Sequence, residues 1–243
     1  ELAHAMGLDP IELRRRNDPA KDPTTGHAFS SRHLMQAYRL GAERFGWTQR
    51  SAIPRSRRDG EWLVGMGCAS GTYPYYRMPG GAARIMIDVK GRAIVSSAAH
   101  EMGMGTATTQ RLICAERLGL APEQVTIELG DSRLPAGSAA GGSSQTASMG
   151  AAVAAAHDKL VEALLELVGS DSPLSGLSPS DVESRDGGLG KRGGPHRHDT
   201  YVSILRRAGR DSLQAEADAP QPAEMTRWSM HSTSAVFCEV RVH

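Results

Sequence analysis

Two glycine-rich turns contain the residues of this sequence that are best suited to chemistry. The first turn covers residues 100–106 (His-Glu-Met-Gly-Met-Gly-Thr), and the second turn covers residues 137–146. Glycine lets a backbone approach a ligand, and the first amides of a following helix are unpaired donors at the positive end of its dipole. Two such turns predict that the protein binds separated parts of one long anionic ligand. Further hydroxyl donors would come from Thr106, Ser143, Ser144 and Thr146.

Glycine content alone leaves another interpretation open, in which both turns are ordinary strand–helix loops. Neither turn has a GK[ST] triplet after its glycines, as a Walker A loop would, and neither has the GxGxxG spacing of dinucleotide-binding folds. A generic nucleotide-binding enzyme that uses both turns is a further hypothesis, and it predicts tight binding of ATP or NAD.

Histidine and acidic residues offer weaker candidate sites. His100 and Glu101 suggest acid–base chemistry or metal ligation, but a metal site needs two or three more ligands, so we interpret the pair as solvent-facing or loop-orienting. Asp131 is expected to turn the chain after a strand. His196 and His198 lie in a polar stretch, where a weak metal contact is the most we expect. We therefore assign no catalytic residue and no metal ligand.

The elements that position the two turns follow from apolar periodicity and turn residues. Each turn is predicted to join a strand to a helix, within an α+β fold of mixed sheets and flanking helices. Asp9 and Pro10 are expected to begin a helix, because Asp caps well and Pro suits the first helical position. The predicted elements are two short helices within 1–17 with a junction near Gly7 and Leu8, a helix from Ser30 or Ser31 to Phe45, strands at 62–69, 83–89 and 93–98, a helix at 106–118, a strand at 124–129, helices at 144–168 and 201–207, and a long strand or hairpin arm at 227–242.

Composition divides the chain into three regions. Residues 1–168 contain both turns and most of the predicted elements. From residue 169 to residue 194 large apolar side chains are scarce, so residues 169–223 are predicted to be a polar, flexible linker without a core of its own. Residues 224–243 alternate strongly and are predicted to be the first strand of a following subdomain. Since the chain begins within a helix and stops within a strand pattern, we expect it to be an internal piece of a longer protein.

Bulk composition excludes several classes of function. The 28 Lys and Arg nearly balance the 27 Asp and Glu, so no overall charge draws the protein to nucleic acid or to an anionic membrane. No apolar run approaches the roughly 20 residues of a membrane span, and no signal-peptide pattern is present, so we expect a soluble protein without membrane insertion. Cys68, Cys114 and Cys238 are far apart, which argues against a disulfide scaffold or an iron–sulfur site, and each is predicted to be a small buried residue.

Longer stretches around the two turns resemble one protein family. The stretches AHEMGMGTATTQ, AERLGLAPEQVTIELGDSRLP and GSAAGGSSQTASMGAAV are similar, in order and spacing, to the central cofactor-binding region of molybdenum hydroxylase large subunits. These are the molybdopterin-binding subunits of the xanthine dehydrogenase/aldehyde oxidase family. Three further blocks add to the resemblance, namely ELAHAMGLDPIELRRRN, GAERFGW and AVFCEVRV. The resemblance covers most of the chain apart from residues 169–227.

The resemblance implies that the two turns help to hold a molybdopterin cofactor with molybdenum, commonly the cytosine dinucleotide form in bacterial enzymes. Some relatives have glutamine at the position of Met104. A thioether cannot donate a hydrogen bond, so Met104 must contact the cofactor through its backbone. The absence of glutamine at this position favours the bacterial aldehyde-oxidising branch over purine oxidation. Gly142 stands where the family backbone passes close to the metal centre. The cofactor-contact candidates are Gly103, Met104, Gly105, Thr106, Gly142, Ser143, Ser144, Gln145 and Thr146.

The resemblance also implies that the catalytic base lies outside this chain. In the family a glutamate fills that role, and the similarity places it beyond His243, so neither Glu101 nor Glu239 inherits it. An arginine–proline–glycine active-site loop is placed before Glu1. The full-length parent is expected to oxidise an aldehyde or an N-heterocycle and to pass electrons to a 2Fe-2S subunit, with an FAD subunit as a further candidate partner. A cytoplasmic location is expected, or a periplasmic one if the protein is exported with a partner subunit.

A non-catalytic binding or assembly module that keeps this fold without metal is the alternative function. The two differ in one measurable property, because only the hydroxylase subunit should contain molybdenum and pterin after expression in a host that makes the cofactor.

Overall fold

A computed structural model of the chain describes residues 1–194 and 197–243. Its backbone divides into two compact units: unit 1 comprises Glu1–Tyr75 and Ala223–His243, and unit 2 comprises Tyr76–Pro222. These boundaries differ from those predicted from composition, because residues 76–222 form one unit across residue 168. The prediction of a weak metal contact at His196 lies outside the described residues.

Helices and strands occur in the α+β order predicted from the sequence. In chain order the elements are α1 (Leu2–Ala5), α2 (Pro10–Arg16), α3 (Leu34–Phe45), β1 (Arg58–Asp59), β2 (Trp62–Pro74), β3 (Ala82–Asp88), β4 (Ala93–Ser97), α4 (Thr106–Leu118), β5 (Val125–Leu129), α5 (Gln145–Glu166), β6 (Val182–Arg185), β7 (Gly188–Lys191), β8 (His198–Thr200), α6 (Tyr201–Arg207), β9 (Ser212–Asp218), α7 (Ala223–Arg227) and β10 (His231–Val242). The described part of the chain contains no helix with both the length and the apolar character needed to cross a bilayer.

Local signals at the helix ends account for several of the helix boundaries. The Asp9 carboxylate accepts a hydrogen bond from the Ile11 amide at 2.8 Å, so α2 begins where the sequence predicts. Gly46 ends α3 in the left-handed conformation, at a φ of 73°. The predicted cap of α3 by Ser30 or Ser31 is wrong, because α3 begins after His33, whose side chain makes no capping hydrogen bond.

Unit 1 contains a three-stranded antiparallel sheet in the order β1-β2-β10. The long strand β10 pairs with β2 along its whole length, from His231 opposite Pro74 to Val242 opposite Leu63. Residues 223–243 thus belong to the same unit as residues 1–75, and the opening of a following subdomain at residues 224–243 stays a prediction. Alternation correctly indicated a strand there, but it carries no information about which strand will be the partner.

Unit 2 is built on a four-stranded mixed sheet in the order β5-β4-β3-β9. Strand β3 is antiparallel to both β4 and β9, whereas β4 and β5 are parallel and are connected through α4. Strands β4 and β5 therefore end at the same edge of the sheet, and the first and second turns follow them there. The core between sheet and helices is fully buried at Ile85, Ile87, Val95, Leu118, Val153 and Leu160.

The segment predicted to be a linker is instead part of unit 2. Residues 169–223 contain the antiparallel sheet β6-β7-β8, helix α6 and strand β9. Although large apolar side chains are scarce in this segment, Leu174, Leu189, Tyr201, Ile204 and Leu205 are fully buried in the core shared with α4 and α5. Composition indicates only whether a segment could form a core alone, whereas this segment adds apolar side chains to an existing core.

Two polar contacts tie the same segment to the helices of unit 2. The Tyr201 hydroxyl donates to the carbonyl of Leu118 at 2.9 Å. His157 Nε2 lies 2.9 Å from Ser184 Oγ, which links α5 to β6, and burial lowers the pKa of the His157 imidazole. The first contact fixes α6 against α4, and the second fixes β6 against α5.

The three cysteines have different surroundings. Cys114 is fully buried in unit 2, and burial raises the pKa of its thiol to about 12. Cys68 is half-buried and Cys238 is exposed, so the prediction of small buried residues is correct for Cys114 and wrong for Cys238.

Candidate functional site

The first and second turns meet at the edge of the four-stranded sheet and line one open cleft of about 410 Å³. That volume lies within the range of about 300–1,000 Å³ that is usual for small-molecule and cofactor sites. The turns therefore converge, and there is room for a ligand between them. The lining residues are Met102, Met104, Ala140, Gly141, Gly142, Ser143, Ser144, Gln145 and Thr146.

Hydrogen bonds hold the two helix beginnings side by side beneath the cleft. The Thr106 hydroxyl donates to Gln145 Oε1 at 3.3 Å, and Gln110 Nε2 donates to the Thr146 carbonyl at 3.2 Å. On the strand side, the amide of Ala98 donates to the carbonyl of Pro135 at 2.7 Å. The loop after β5 is thus fixed against the end of β4, so the two turns cannot separate without breaking these bonds.

The predicted site residues take different positions around the cleft. Met104, Gly142, Ser143, Ser144, Gln145 and Thr146 line it, whereas Gly103, Gly105 and Thr106 are not among its lining residues. The expectation that Thr106 and Ser144 offer hydroxyl groups to a ligand is wrong. Both residues are fully buried, the first donating to Gln145 and the second to the Gly141 carbonyl at 2.7 Å.

The amides of the first turn are engaged by a side chain of the same turn. Glu101 Oε1 accepts hydrogen bonds from Gly103 at 2.9 Å and Gly105 at 3.1 Å, and Glu101 Oε2 accepts one from Ala107 at 3.2 Å. The donation from Ala107, with those from Gly105 and Gly103, lowers the pKa of the Glu101 carboxyl below its ordinary value. The interpretation of Glu101 as a loop-orienting residue agrees with this geometry.

The backbone of the second turn is suited to binding an anion. Gly142 and Ser143 both have a φ of 58°, and Ser144 follows in the right-handed region at a φ of −95°. A left-handed residue followed by a right-handed one turns successive amides toward one point, which forms an anion-binding concavity. Within residues 1–194 and 197–243, no protein group accepts from the amides of Gly142, Ser143, Gln145 or Thr146.

Gln145, which lines the cleft, also carries an unpaired donor. The residue is only 3% exposed, and its buried Nε2 atom has no hydrogen-bond partner among the residues that the structure describes. A buried donor without an acceptor costs about 1–3 kcal/mol, so such groups call for an explanation. An acceptor on a ligand in the cleft would provide one.

Sequence reasoning missed part of the lining. Met102, Ala140 and Gly141 line the cleft but were not among the predicted contacts, although each adjoins a predicted residue in the same turn. The role of Glu101 could have been predicted from the sequence, because an acidic residue just before glycines and the start of a helix can accept hydrogen bonds from several backbone amides at once.

Larger cavities lie away from both turns. One, of about 850 Å³, is lined by unit 1 residues between Glu1 and Cys68, another, of about 720 Å³, lies around His157, and a third, of about 600 Å³, is lined by residues from the end of β5 to Leu134. None of these three cavities includes a residue of the first or second turn. We place the candidate site in the smaller cleft, because that is where unpartnered amides and a buried unpartnered side-chain donor occur together.

The family of the chain is shown by comparison with known proteins. Residues 40–243 match the model of the molybdopterin cofactor-binding domain. The chain belongs to this family, and the family resemblance inferred from the motifs is confirmed.

Curated relatives are molybdenum-binding subunits of oxidoreductases. The aldehyde oxidoreductase molybdenum-binding subunit PaoC of Escherichia coli O157:H7 is 39% identical over 245 residues, an alignment that covers 100% of this chain and 31% of that protein. The putative xanthine dehydrogenase molybdenum-binding subunit XdhA of Escherichia coli K12 is 30% identical over 134 residues, or 52% of this chain and 18% of that protein. The chain thus spans about a third of the length of PaoC.

Solved structures confirm the α+β fold. The Cu,Mo-CO dehydrogenase matches with a TM-score of 0.75 at 21% identity, over 99% of this chain and 33% of that one. Quinoline 2-oxidoreductase from Pseudomonas putida 86 matches with a TM-score of 0.73 at 20% identity, over the same shares of the two chains.

Proposed function

We propose that this chain is the part of a molybdenum hydroxylase large subunit that receives the molybdopterin cofactor, in the cleft between the first and second turns. One observation carries the proposal: the cleft is lined both by residues of the second turn whose amides have no protein acceptor and by Gln145, whose buried Nε2 has no partner in the described part of the chain. Family membership supplies the chemical class of the ligand.

The residues present fit a pterin that carries phosphate groups. The amides of Ser143, Gln145 and Thr146 stand at the N-terminus of the 22-residue helix α5, where phosphate is favoured by free donors and by the helix dipole. Met102 and Met104 offer a polarisable apolar wall, which suits a flat heterocycle. When bound, the cofactor supplies two-electron oxidation chemistry through its molybdenum. The residues of this chain bind it, orient it and limit its exposure to water.

Three finer assignments belong to the same proposal. The cofactor is the cytosine dinucleotide form, the substrate of the complete enzyme is an aldehyde or an N-heterocycle, and the redox partners are a 2Fe-2S subunit and an FAD subunit in the cytoplasm. The aldehyde branch is supported by the name of the 39% identical relative and by Met104, which presents no side-chain donor to the cleft.

Metal and pterin analysis of the complete protein that carries this sequence tests the proposal. After expression in a host that makes the cofactor, we expect about one molybdenum and one pterin per subunit. Acid treatment should release cytidine monophosphate, and a different nucleotide would contradict the cytosine form alone. A purified, folded protein with neither molybdenum nor pterin would contradict the function and favour a non-catalytic module.

A nucleotide-binding enzyme is separated from the proposal by calorimetry. Because both turns lack the spacing of known nucleotide loops, titration with ATP or NAD should give no measurable heat of binding. Tight binding of either nucleotide at the cleft would contradict the assignment to molybdopterin.

A further inference from the structure

The donors of the first turn are satisfied by the first turn itself. Three amides donate to Glu101, namely those of Gly103, Gly105 and Ala107. The Met102 amide is also engaged, since it donates to Sδ of Met104 at 3.2 Å. A glycine-rich turn before a helix usually offers amides to an anion, and here a side chain of the turn accepts them instead.

The Glu101 carboxylate also places a negative charge at the start of α4. A ligand phosphate at the same position would have to displace that carboxylate or lie beside a like charge. Solvent screens part of this repulsion because Glu101 is exposed, but the amide donors are lost to the ligand in either case. The second turn differs, since the amides of Ser143, Gln145 and Thr146 have no protein acceptor in the described part of the chain.

We propose that Glu101 is a positioning residue that forms the first turn before the cofactor arrives and directs the phosphate-bearing end of the cofactor to the second turn. This inference rests on the proposed function, because it assumes a phosphate-bearing ligand in the cleft. With its backbone donors occupied, the first turn contributes Met102 and Met104 to the lining. The two turns therefore have different roles: the first presents apolar side chains to the cofactor, and the second binds its phosphate groups.

The test uses the complete protein, prepared in a host that cannot make molybdopterin, with inorganic pyrophosphate as the probe. Residue-resolved hydrogen–deuterium exchange reports which amides the probe protects. At saturating pyrophosphate we expect exchange at residues 143, 145 and 146 to slow by about tenfold or more. Exchange at Gly103, Gly105 and Ala107 should stay unchanged.

Two substitutions at Glu101 separate its two oxygens. Glu101→Gln keeps one acceptor for Gly103 and Gly105 but turns an amide group toward Ala107, so exchange without probe should rise about tenfold at Ala107 alone. Glu101→Ala should raise exchange at all three amides and admit pyrophosphate to the first turn.

A matched control is available in the same unit. Asp181 is another exposed carboxylate held by local donors, the Ser178 amide at 2.9 Å and the Ser178 hydroxyl at 2.6 Å, and it does not line the cleft. Asp181→Asn should leave exchange at both turns unchanged, with and without pyrophosphate.

Three outcomes would overturn the inference: protection of the first-turn amides by pyrophosphate in the unaltered protein, protection of neither turn, or unchanged exchange in both Glu101 variants. The first two readings need no substitution, so they stand even if a variant fails to fold. Failure of the proposed function would show separately, as absence of molybdenum and pterin from protein made in a cofactor-producing host.

Discussion

The first and second turns have similar composition and similar positions, yet their backbone donors differ. Both follow parallel neighbouring strands, β4 and β5, and both lead into helices at one edge of the same sheet. In the first turn Glu101 accepts from three amides, whereas in the second turn the amides of Gly142, Ser143, Gln145 and Thr146 have no protein acceptor among the residues that the structure describes. Glycine content and helix proximity are therefore not sufficient to identify an anion site, because one acidic neighbour can occupy the donors.

The difference extends to backbone strain. Gly103 and Gly105 hold the left-handed conformations of the first turn, at φ values of 92° and 78°. In the second turn Ser143, which has a Cβ, takes a φ of 58° directly after Gly142. Left-handed conformations of residues other than glycine are disfavoured by roughly 1–2 kcal/mol and cluster at functional sites. The second turn therefore carries both the free donors and the strained residue.

The largest effect is expected from Gly142→Leu in the second turn. The side chain would project from a residue that lines the cleft, so it should occupy space that the cofactor needs. We expect most of the molybdenum to be lost, at least about tenfold, from the purified complete protein. The molybdenum content is measured by mass spectrometry and normalised to the amount of folded protein.

Backbone strain at Gly142 needs its own control. Gly209 has a φ of 62°, close to the 58° of Gly142, has nothing within 4 Å of an added Cβ, and lies outside the cleft. Gly209→Leu should therefore cost similar stability and leave the molybdenum content unchanged. Equal molybdenum contents in the two variants would show that Gly142 does not border the cofactor.

A smaller effect is expected from Gln145→Met, which keeps the length of the side chain and removes the unpartnered Nε2 donor. The cofactor-free protein should change little in its free energy of unfolding, by less than about 1 kcal/mol, because one unsatisfied buried group is removed while the Thr106 hydroxyl loses its acceptor. Cofactor retention should fall by about five- to tenfold, the worth of one hydrogen bond. Unchanged retention during dialysis, with a rise in stability, would mean that Nε2 donates to nothing in the cleft.

Local signals made much of the site's scaffold predictable from the sequence. Helix α4 was predicted over the residues it occupies, because Gly119 ends it, and the Asp9 cap placed α2 correctly. Strand partners were not predictable. Strands β10 and β2 pair although they are far apart in the chain, and the alternation of apolar residues within a strand does not indicate which strand will be its partner. For the same reason residues 169–223 were mistaken for a linker, since their few apolar side chains are buried by elements distant in sequence.

Within the site, the sequence predicted positions better than it predicted directions. Both turns line one cleft, but the hydroxyl groups of Thr106 and Ser144 point into the protein. Whether a hydroxyl faces a ligand or a neighbouring carbonyl depends on side-chain geometry that composition and spacing do not specify.

Acid should weaken the amide hydrogen bonds of the first turn and leave the amide protection of the second turn unchanged. The pKa of Glu101 in the folded protein lies below its ordinary value of 4.5, so its contribution to the first turn is present above that pH and is lost as the pH falls through the lowered pKa. A protonated carboxyl, like the glutamine side chain, keeps one carbonyl acceptor for Gly103 and Gly105, so the amide protection factor at Ala107 should fall, while those at residues 143–146 do not. Hydrogen exchange between neutral pH and the acid range measures this, and Glu101→Gln should lack the transition. An equal loss at both turns would indicate general unfolding and remove the contrast.

The smallest effect is expected from Ser143→Gly, which tests whether the second turn acts through its backbone. Glycine relieves the left-handed strain at the cost of some chain entropy, so the free energy of unfolding should rise by about 0.5–1 kcal/mol. The amides remain in place, so the molybdenum content should not change. Asp186→Gly is the matched control, because Asp186 has a φ of 48° in the same unit and lies outside the cleft. If Ser143→Gly alone lowers the molybdenum content, the hydroxyl of Ser143 contacts the ligand, and the second turn binds through a side chain as well as its amides.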